Sequence, residues 1–295
     1  MPPRVGFVGL GMMGSAMAER LMESGYPLSV TSRTRTHAEP FAARGALLCE
    51  NPAEVARSST IVLSMISTSE VLETIALGDD GILSGLPEQG VHVDLSTVSP
   101  ATTVKLEQLY ARRSRSFLYC PVLGSVPQAR EGSLLLFAGG SPEAFRASER
   151  VLACLGKRIW RFQSTSETAY LKLLCNSFIA GTITGLAQAL VVARASGLDP
   201  SSLLEVIGQS ALNSPMIQSK GAAVLARNFE PRFFAEHMLK DVTLLLDAAK
   251  PLGCELPALE ATKDLYERAI RAGLGREDYS AIVKILEERA NMSPE

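Results

Sequence analysis

Residues 4–25 read RVGFVGLGMMGSAMAERLMESG, and this stretch decides the fold. It opens on a short run, residues 4–9, rich in Val and Phe, which suits a buried strand. It continues as a helix-type pattern over residues 13–24, stopped by Gly25, the residue best able to take the left-handed conformation after a helix. Between the two lies Gly9-Leu10-Gly11-Met12-Met13-Gly14, a G-x-G-x-x-G turn. Glycines in that order are a weak signal alone and a strong one between a strand and a helix. Gly9 permits the tight turn, Gly11 lets a pyrophosphate approach the backbone, and Gly14 lets helix and strand pack closely. The helix start then offers N–H groups and partial positive charge to phosphates. The bland alternative is an ordinary strand-to-helix turn.

Outward from this unit the β-then-α alternation repeats. Residues 28–31, 60–65 and 91–95 read as further buried strands, and residues 37–44, stopped by Gly45, as a helix. Residues 116–119, 133–138 and 157–162 extend the series of strands. Such alternation predicts a parallel sheet covered by helices. The pattern changes at Ser164-Thr165-Ser166-Glu167, a capping-box sequence. From there to Gly197 the chain reads as one helix of about 45 Å, apolar nearly all round and therefore expected to be buried. Helices are predicted over 200–209, 215–227, 233–250, 257–272 and 278–290, with no strand after residue 164. The expected architecture is an N-terminal α/β domain, residues 1–164, and a C-terminal all-α domain, residues 165–295.

Bulk properties narrow the function. A chain of 295 residues fits two domains, and 46% hydrophobic with 20% charged residues is ordinary globular composition. The net charge of -2 provides no general field for nucleic acid or anionic membrane. Five scattered cysteines without a CxxC pair, and three histidines without ligand spacing, argue against a disulfide framework or a metal site. No signal peptide is visible, and residues 178–193 fall short of a membrane span. A cytoplasmic protein acting on a small molecule is the expectation.

The end of the second strand bears on which dinucleotide the turn would hold. An NAD site usually places Asp or Glu there for the ribose 2′-hydroxyl. This chain has Ser32-Arg33-Thr34-Arg35 and no carboxylate before Glu39. Arg33 can grip a 2′-phosphate, with Ser32 and Thr34 as hydroxyl donors, which favours NADP(H) over NAD(H). The competing reading is a solvated arginine on a surface loop.

Four further segments suggest chemistry. Asp94-Leu95-Ser96-Thr97-Val98-Ser99-Pro100 falls at the carboxyl end of a predicted strand, where open α/β sheets bind ligands. Pro121-Val122-Leu123-Gly124-Ser125 could turn N–H groups toward a carboxylate. Lys172 and Asn176 share a face of the long helix, and a lysine on an apolar helix is costly unless paired or functional. The fourth segment runs from Phe234 to Lys240-Asp241. A plain turn, or a lysine reaching the surface, is the alternative in each case.

The stretches GFVGLGMMGSAMAERL, DLSTVSPATT, PVLGSVPQAREGSLLLFAGG, ETAYLKLLCN, FFAEHMLKDVTLLL and DYSAIVKILEE, in this order, resemble the β-hydroxyacid dehydrogenase family over essentially the whole chain. That family includes 3-hydroxyisobutyrate dehydrogenases and glyoxylate, tartronate-semialdehyde and succinic-semialdehyde reductases. The resemblance implies a Rossmann, doubly wound N-terminal sheet with a 6-phosphogluconate dehydrogenase-like helical domain. It implies hydride transfer between NADP(H) and a small β-hydroxy acid, semialdehyde or keto acid, and a homodimer or homotetramer. By resemblance Lys172 is the general acid/base and Asn176 its neighbour, with Ser96, Leu123, Gly124 and Ser125 on the substrate. Thr97, Phe234 and Lys240 would lie at the cofactor, Lys240 also reaching substrate, and Met12, Met13, Met65 and Ile66 would line the cofactor cleft. Burial and a nearby Lys240 would favour a neutral Lys172 amine. The family's substrate loop usually reads PVSG, so Leu123 replaces a serine hydroxyl with an apolar group. An imine reductase, which usually lacks the lysine, and a non-catalytic NADP-binding module are the competing functions.

Overall fold

The computed structural model describes residues 2–292. The chain divides into two compact units, the first running through Lys172 and the second starting at Leu173. The division falls inside one helix, Thr165–Ala195.

The first unit is built on a nine-stranded sheet. Its strands are β1 (Val5–Val8), β2 (Leu28–Thr31), β3 (Leu47–Leu48), β4 (Ile61–Ser64), β5 (Val91–Asp94), β6 (Ser116–Tyr119), β7 (Val122–Leu123), β8 (Leu134–Gly140) and β9 (Gly156–Phe162). The order β3-β2-β1-β4-β5-β6 is parallel throughout, with the chain switching direction between β1 and β4. This is the doubly wound arrangement expected from the sequence. Every residue of β1, β2, β4 and β5 is buried, as strands covered on both faces require. One apolar core gathers Phe7, Met17, Leu21 and Val30 on one side, and a second gathers Val55, Leu72, Ile82 and Leu106 on the other.

Beyond β6 the sheet departs from the expected parallel pattern. Strand β8 runs antiparallel to both β6 and β7, and β9 pairs parallel to β8. The two-residue strands β3 and β7 are too short to leave a periodic signature. The helix predicted over 37–44 is broken into a 3-10 turn, Arg35–His37, and a short helix, Glu39–Ala42. Pro40 explains the break: its ring and missing N–H suit a first helical turn and not a helix interior.

The second unit is helical, with Pro200–Gly208, Pro215–Leu225, Ala235–Ala249, Pro257–Arg271 and Ile282–Arg289 following the long helix. Three of these begin on proline, whose fixed φ and missing N–H cost nothing at that position. Among the described residues the β pairing after residue 164 is an isolated Phe234–Asp278 bridge. Leu173, Ile183, Leu190, Met238, Val242, Tyr266 and Ile282 form its core. A buried ion pair fixes the turn before the last helix: Lys220 Nζ lies 2.7 Å from both oxygens of Asp278, which also accepts from Ser280 Oγ at 2.7 Å. The carboxylate also takes the N–H groups of Arg232 and Ser280, both at 3.1 Å. So many donors are what a buried charge needs to offset its lost hydration.

The Thr165–Ala195 helix is less enclosed than its composition suggested. By length and composition it is long and apolar enough to cross a membrane, and 44% of its most apolar window is buried. Leu174, Phe178 and Val192 stand exposed along one side.

Candidate dinucleotide and substrate site

Strand β1 ends directly in the glycine turn, and the helix Met12–Glu23 follows. The three glycines have separate steric reasons. Gly9 has φ of +95°, and a Cβ on it would come within 2.4 Å of the Met65 carbonyl oxygen and 2.8 Å of Ile66 Cδ1. A Cβ on Gly14 would meet the Gly9 carbonyl oxygen at 2.0 Å. Gly11 faces open space, with nothing within 4 Å of such an atom. It is also the N-cap, and no side chain caps the helix. Closely packed outer glycines around an open central one, at an uncapped helix start, fit a pyrophosphate against the backbone. Met13, Met65 and Ile66 are half-buried, and Met12 is exposed.

Ser32 follows β2, half-buried, and Arg33 and Thr34 are exposed. Arg35 is engaged elsewhere, 3.2 Å from Glu50. The next strand ends bring up two more segments. Ser96 is fully buried, and its hydroxyl donates to Asp94 Oδ1 at 2.7 Å while accepting the Ile66 N–H at 2.8 Å. Its side chain is engaged inside the protein, which differs from the open hydroxyl that substrate contact calls for. Thr97 beside it is half-buried. In the segment after β6, Gly124 has φ of +140° and Leu123 is half-buried. Ser125 directs both its N–H (3.0 Å) and its hydroxyl (2.8 Å) to Gln128 Oε1, so both are held by the following helix.

Lys172 and Asn176 are buried one turn apart on the long helix. Asn176 Nδ2 donates to Asp241 Oδ2 at 2.5 Å. A carboxylate only accepts, so this contact fixes which end of the Asn176 amide faces it. Lys240 Nζ lies 2.9 Å from Asp241 Oδ1, an ion pair between adjacent residues. Asp241 thus holds both Asn176 and Lys240, a role the sequence reading did not assign. A signal for it was present: Asp241 sits on the buried stripe of its helix with Met238, Val242 and Leu245. A carboxylate on an apolar stripe needs partners. Phe234 begins the same helix, with the Arg276 guanidinium 5.1 Å from its ring centroid and the His237 ring at 5.3 Å. Burial, and then the Lys240 charge, pull His237 below its ordinary value. Among the described residues no group of three or more His, Cys, Asp or Glu could hold a metal ion.

Both halves of the chain match known protein families. Residues 4–165 match the family described as the NAD binding domain of 6-phosphogluconate dehydrogenase. Residues 167–286 match the NAD-binding domain of NADP-dependent 3-hydroxyisobutyrate dehydrogenase. The chain is 31% identical to 2-(hydroxymethyl)glutarate dehydrogenase of Eubacterium barkeri, over 98% of this chain and 97% of that one. It is 30% identical to glyoxylate/succinic semialdehyde reductase 1 of Arabidopsis thaliana, over 95% and 97%. The crystal structure of 3-hydroxyisobutyrate dehydrogenase from Salmonella typhimurium superposes with a TM-score of 0.88, at 24% identity over 96% of this chain and 100% of that one. An imine reductase from Myxococcus stipitatus is more distant, with a TM-score of 0.67 at 22% identity over 96% and 100%. The chain belongs to the β-hydroxyacid dehydrogenase family of NAD(P)-dependent oxidoreductases.

Proposed function

We propose that this protein is an NADP(H)-preferring reductase or dehydrogenase of small β-hydroxy acids and the matching semialdehydes or keto acids, with Lys172 as general acid/base. The carrying observation is a buried lysine one helical turn from Asn176. The bound nicotinamide supplies hydride to a carbonyl carbon, or takes it up in oxidation. Lys172 then donates a hydrogen bond and a proton to the oxygen on which negative charge develops, and in oxidation accepts the hydroxyl proton. Asn176, its amide oriented by Asp241, holds substrate or lysine in place. Lys240 serves the cofactor and substrate, with Phe234 and Thr97 packing at the nicotinamide.

The preference for NADP(H) is supported by an exposed Arg33 just past β2, where a 2′-hydroxyl site would carry an acid. The substrate carboxylate is assigned to the Gly124 segment, and Leu123 favours a chain with an apolar portion. Self-association is supported by the exposed side of the long helix, where Leu174, Phe178 and Val192 invite a second copy. A cytoplasmic location is supported by an odd number of widely scattered cysteines with no CxxC pair.

The test is Lys172→Ala against a panel of small aldehydes and keto acids with NADPH and NADH, measuring turnover and cofactor affinity separately. Turnover is expected to fall roughly 10²–10⁴-fold with NADPH binding retained. Unchanged turnover removes Lys172 from the mechanism, and binding without oxidation across the panel favours a non-catalytic module.

A further inference from the structure

A chain of buried polar groups lies beneath the carboxyl edge of the sheet. Asp94, fully buried at the end of β5, accepts from Ser64 Oγ at 2.6 Å and from Ser96 Oγ at 2.7 Å, both on Oδ1. Ser96 Oγ accepts the Ile66 N–H at 2.8 Å. Ser64 Oγ lies 2.8 Å from His92 Nε2, and His92 Nδ1 lies 2.7 Å from the Tyr110 hydroxyl. Serine has one proton, and Ser64 gives its proton to Asp94, so it can only accept from His92. Nε2 therefore carries the hydrogen. Burial lowers His92 to about 3, so the ring is neutral, Nδ1 is bare, and Tyr110 donates to it. Every proton in the chain points toward Asp94.

We propose that Asp94 and Ser96 are positioning residues for the dinucleotide site, anchoring the 65–66 segment against the glycine turn. Two observations meet here. The Ile66 N–H is held by Ser96, which Asp94 holds in turn. The same Met65 and Ile66 form the wall on which Gly9 rests, so closely that a Cβ would reach the Met65 carbonyl. The Met65 N–H is tied to the Val8 carbonyl at 3.0 Å, and the Ser96 hydroxyl holds the next peptide, whose carbonyl faces Gly9. Tyr119 adds a second tie on the far side of Ser96, its hydroxyl donating to the Ser96 carbonyl at 3.0 Å. This assignment rests on the dinucleotide reading above, and it gives Ser96 work through the backbone of Ile66 rather than contact with substrate.

The experiment measures NADPH and NADH binding to the full chain by calorimetry, with thermal unfolding alongside. Ser96→Ala is expected to raise the NADPH Kd roughly tenfold, the scale of one lost buried hydrogen bond, and to speed amide exchange at Ile66. Ser148→Ala supplies the structural comparison: that serine is equally buried, but its hydroxyl bonds the Ala144 and Phe145 carbonyls of its own helix. It is expected to lower stability and leave the Kd unchanged. An unchanged Kd in Ser96→Ala, or an equal rise in Ser148→Ala, overturns the proposal. Should Ser96→Ala not fold, Ser96→Cys decides: a thiol is a far weaker acceptor for the Ile66 N–H than a hydroxyl, so a several-fold rise in the NADPH Kd is expected. An unchanged Kd in that variant overturns the proposal. Wild-type protein that binds neither dinucleotide is a different failure, that of the functional reading itself.

Discussion

Lowering the pH from 7 to 5 is expected to weaken the first unit by an amount traceable to His92. The imidazole is fully buried, and burial takes it from an ordinary 6.5 to about 3. In the unfolded chain it regains its ordinary value. Between those two values the unfolded state binds the extra proton and the folded state does not, so stability falls as pH falls through this window. At pH 5 the unfolded imidazole is about 1.5 units below its midpoint, and at about 1.4 kcal/mol per unit the loss is about 2 kcal/mol relative to pH 7. The figure is insensitive to the folded value, provided that it lies below about 4, because the folded ring is then neutral throughout. Trp160, the chain's single tryptophan, lies in β9 and reports on this unit by fluorescence. Urea unfolding at both pH values, in wild type and His92→Gln, gives a double difference in which carboxylates and His237 cancel. Wild type is expected to lose about 2 kcal/mol more than the variant. Equal losses would refute the reasoning, since they would mean that the folded ring takes up its proton as readily as the unfolded one.

Further outcomes follow from the turn, the arginine and the long helix. Gly11→Ala should leave thermal stability near wild type, because its Cβ meets nothing within 4 Å, while weakening dinucleotide binding in titration. Gly14→Ala should cost about 1–3 kcal/mol or more in urea unfolding, because its Cβ would lie 2.0 Å from the Gly9 carbonyl oxygen. Arg33→Ala should raise the NADPH Kd about 10- to 100-fold and leave NADH binding unchanged, the range expected for a charge-assisted bond to a 2′-phosphate. An equal effect on both cofactors would remove Arg33 from the choice. Phe178→Glu places a charge on the exposed apolar side of the long helix, and sedimentation should show a shift toward monomer with the helix content preserved.

The parallel half of the sheet was legible because residues such as Val5–Val8 and Ile61–Ser64 are buried on both faces and read as near-continuous apolar runs. The region after β6 was less so. A two-residue strand such as Val122–Leu123 has no period, and the antiparallel course of β8 depends on pairing partners remote in sequence. In the candidate site, the glycine turn was plain because its steric needs are local. Ser96 and Ser125 show the limit: the residues were found, but the engagement of their hydroxyls by Asp94 and Gln128 depends on orientations that sequence does not carry. Asp241 could have been found from its place on an apolar stripe, as a buried acid awaiting partners.

The long helix also imposes a ruler. Lys172 and Asn176 ride on one unbroken stretch of α-helix, so their separation along the axis is about 6 Å whatever the rest of the chain does. Inserting or deleting one residue between them would swing one group about 100° around the axis relative to the other. Point substitutions at 173–175 can be absorbed locally, whereas a change in length there cannot. In variant libraries the interval should therefore accept exchanges and reject insertions and deletions.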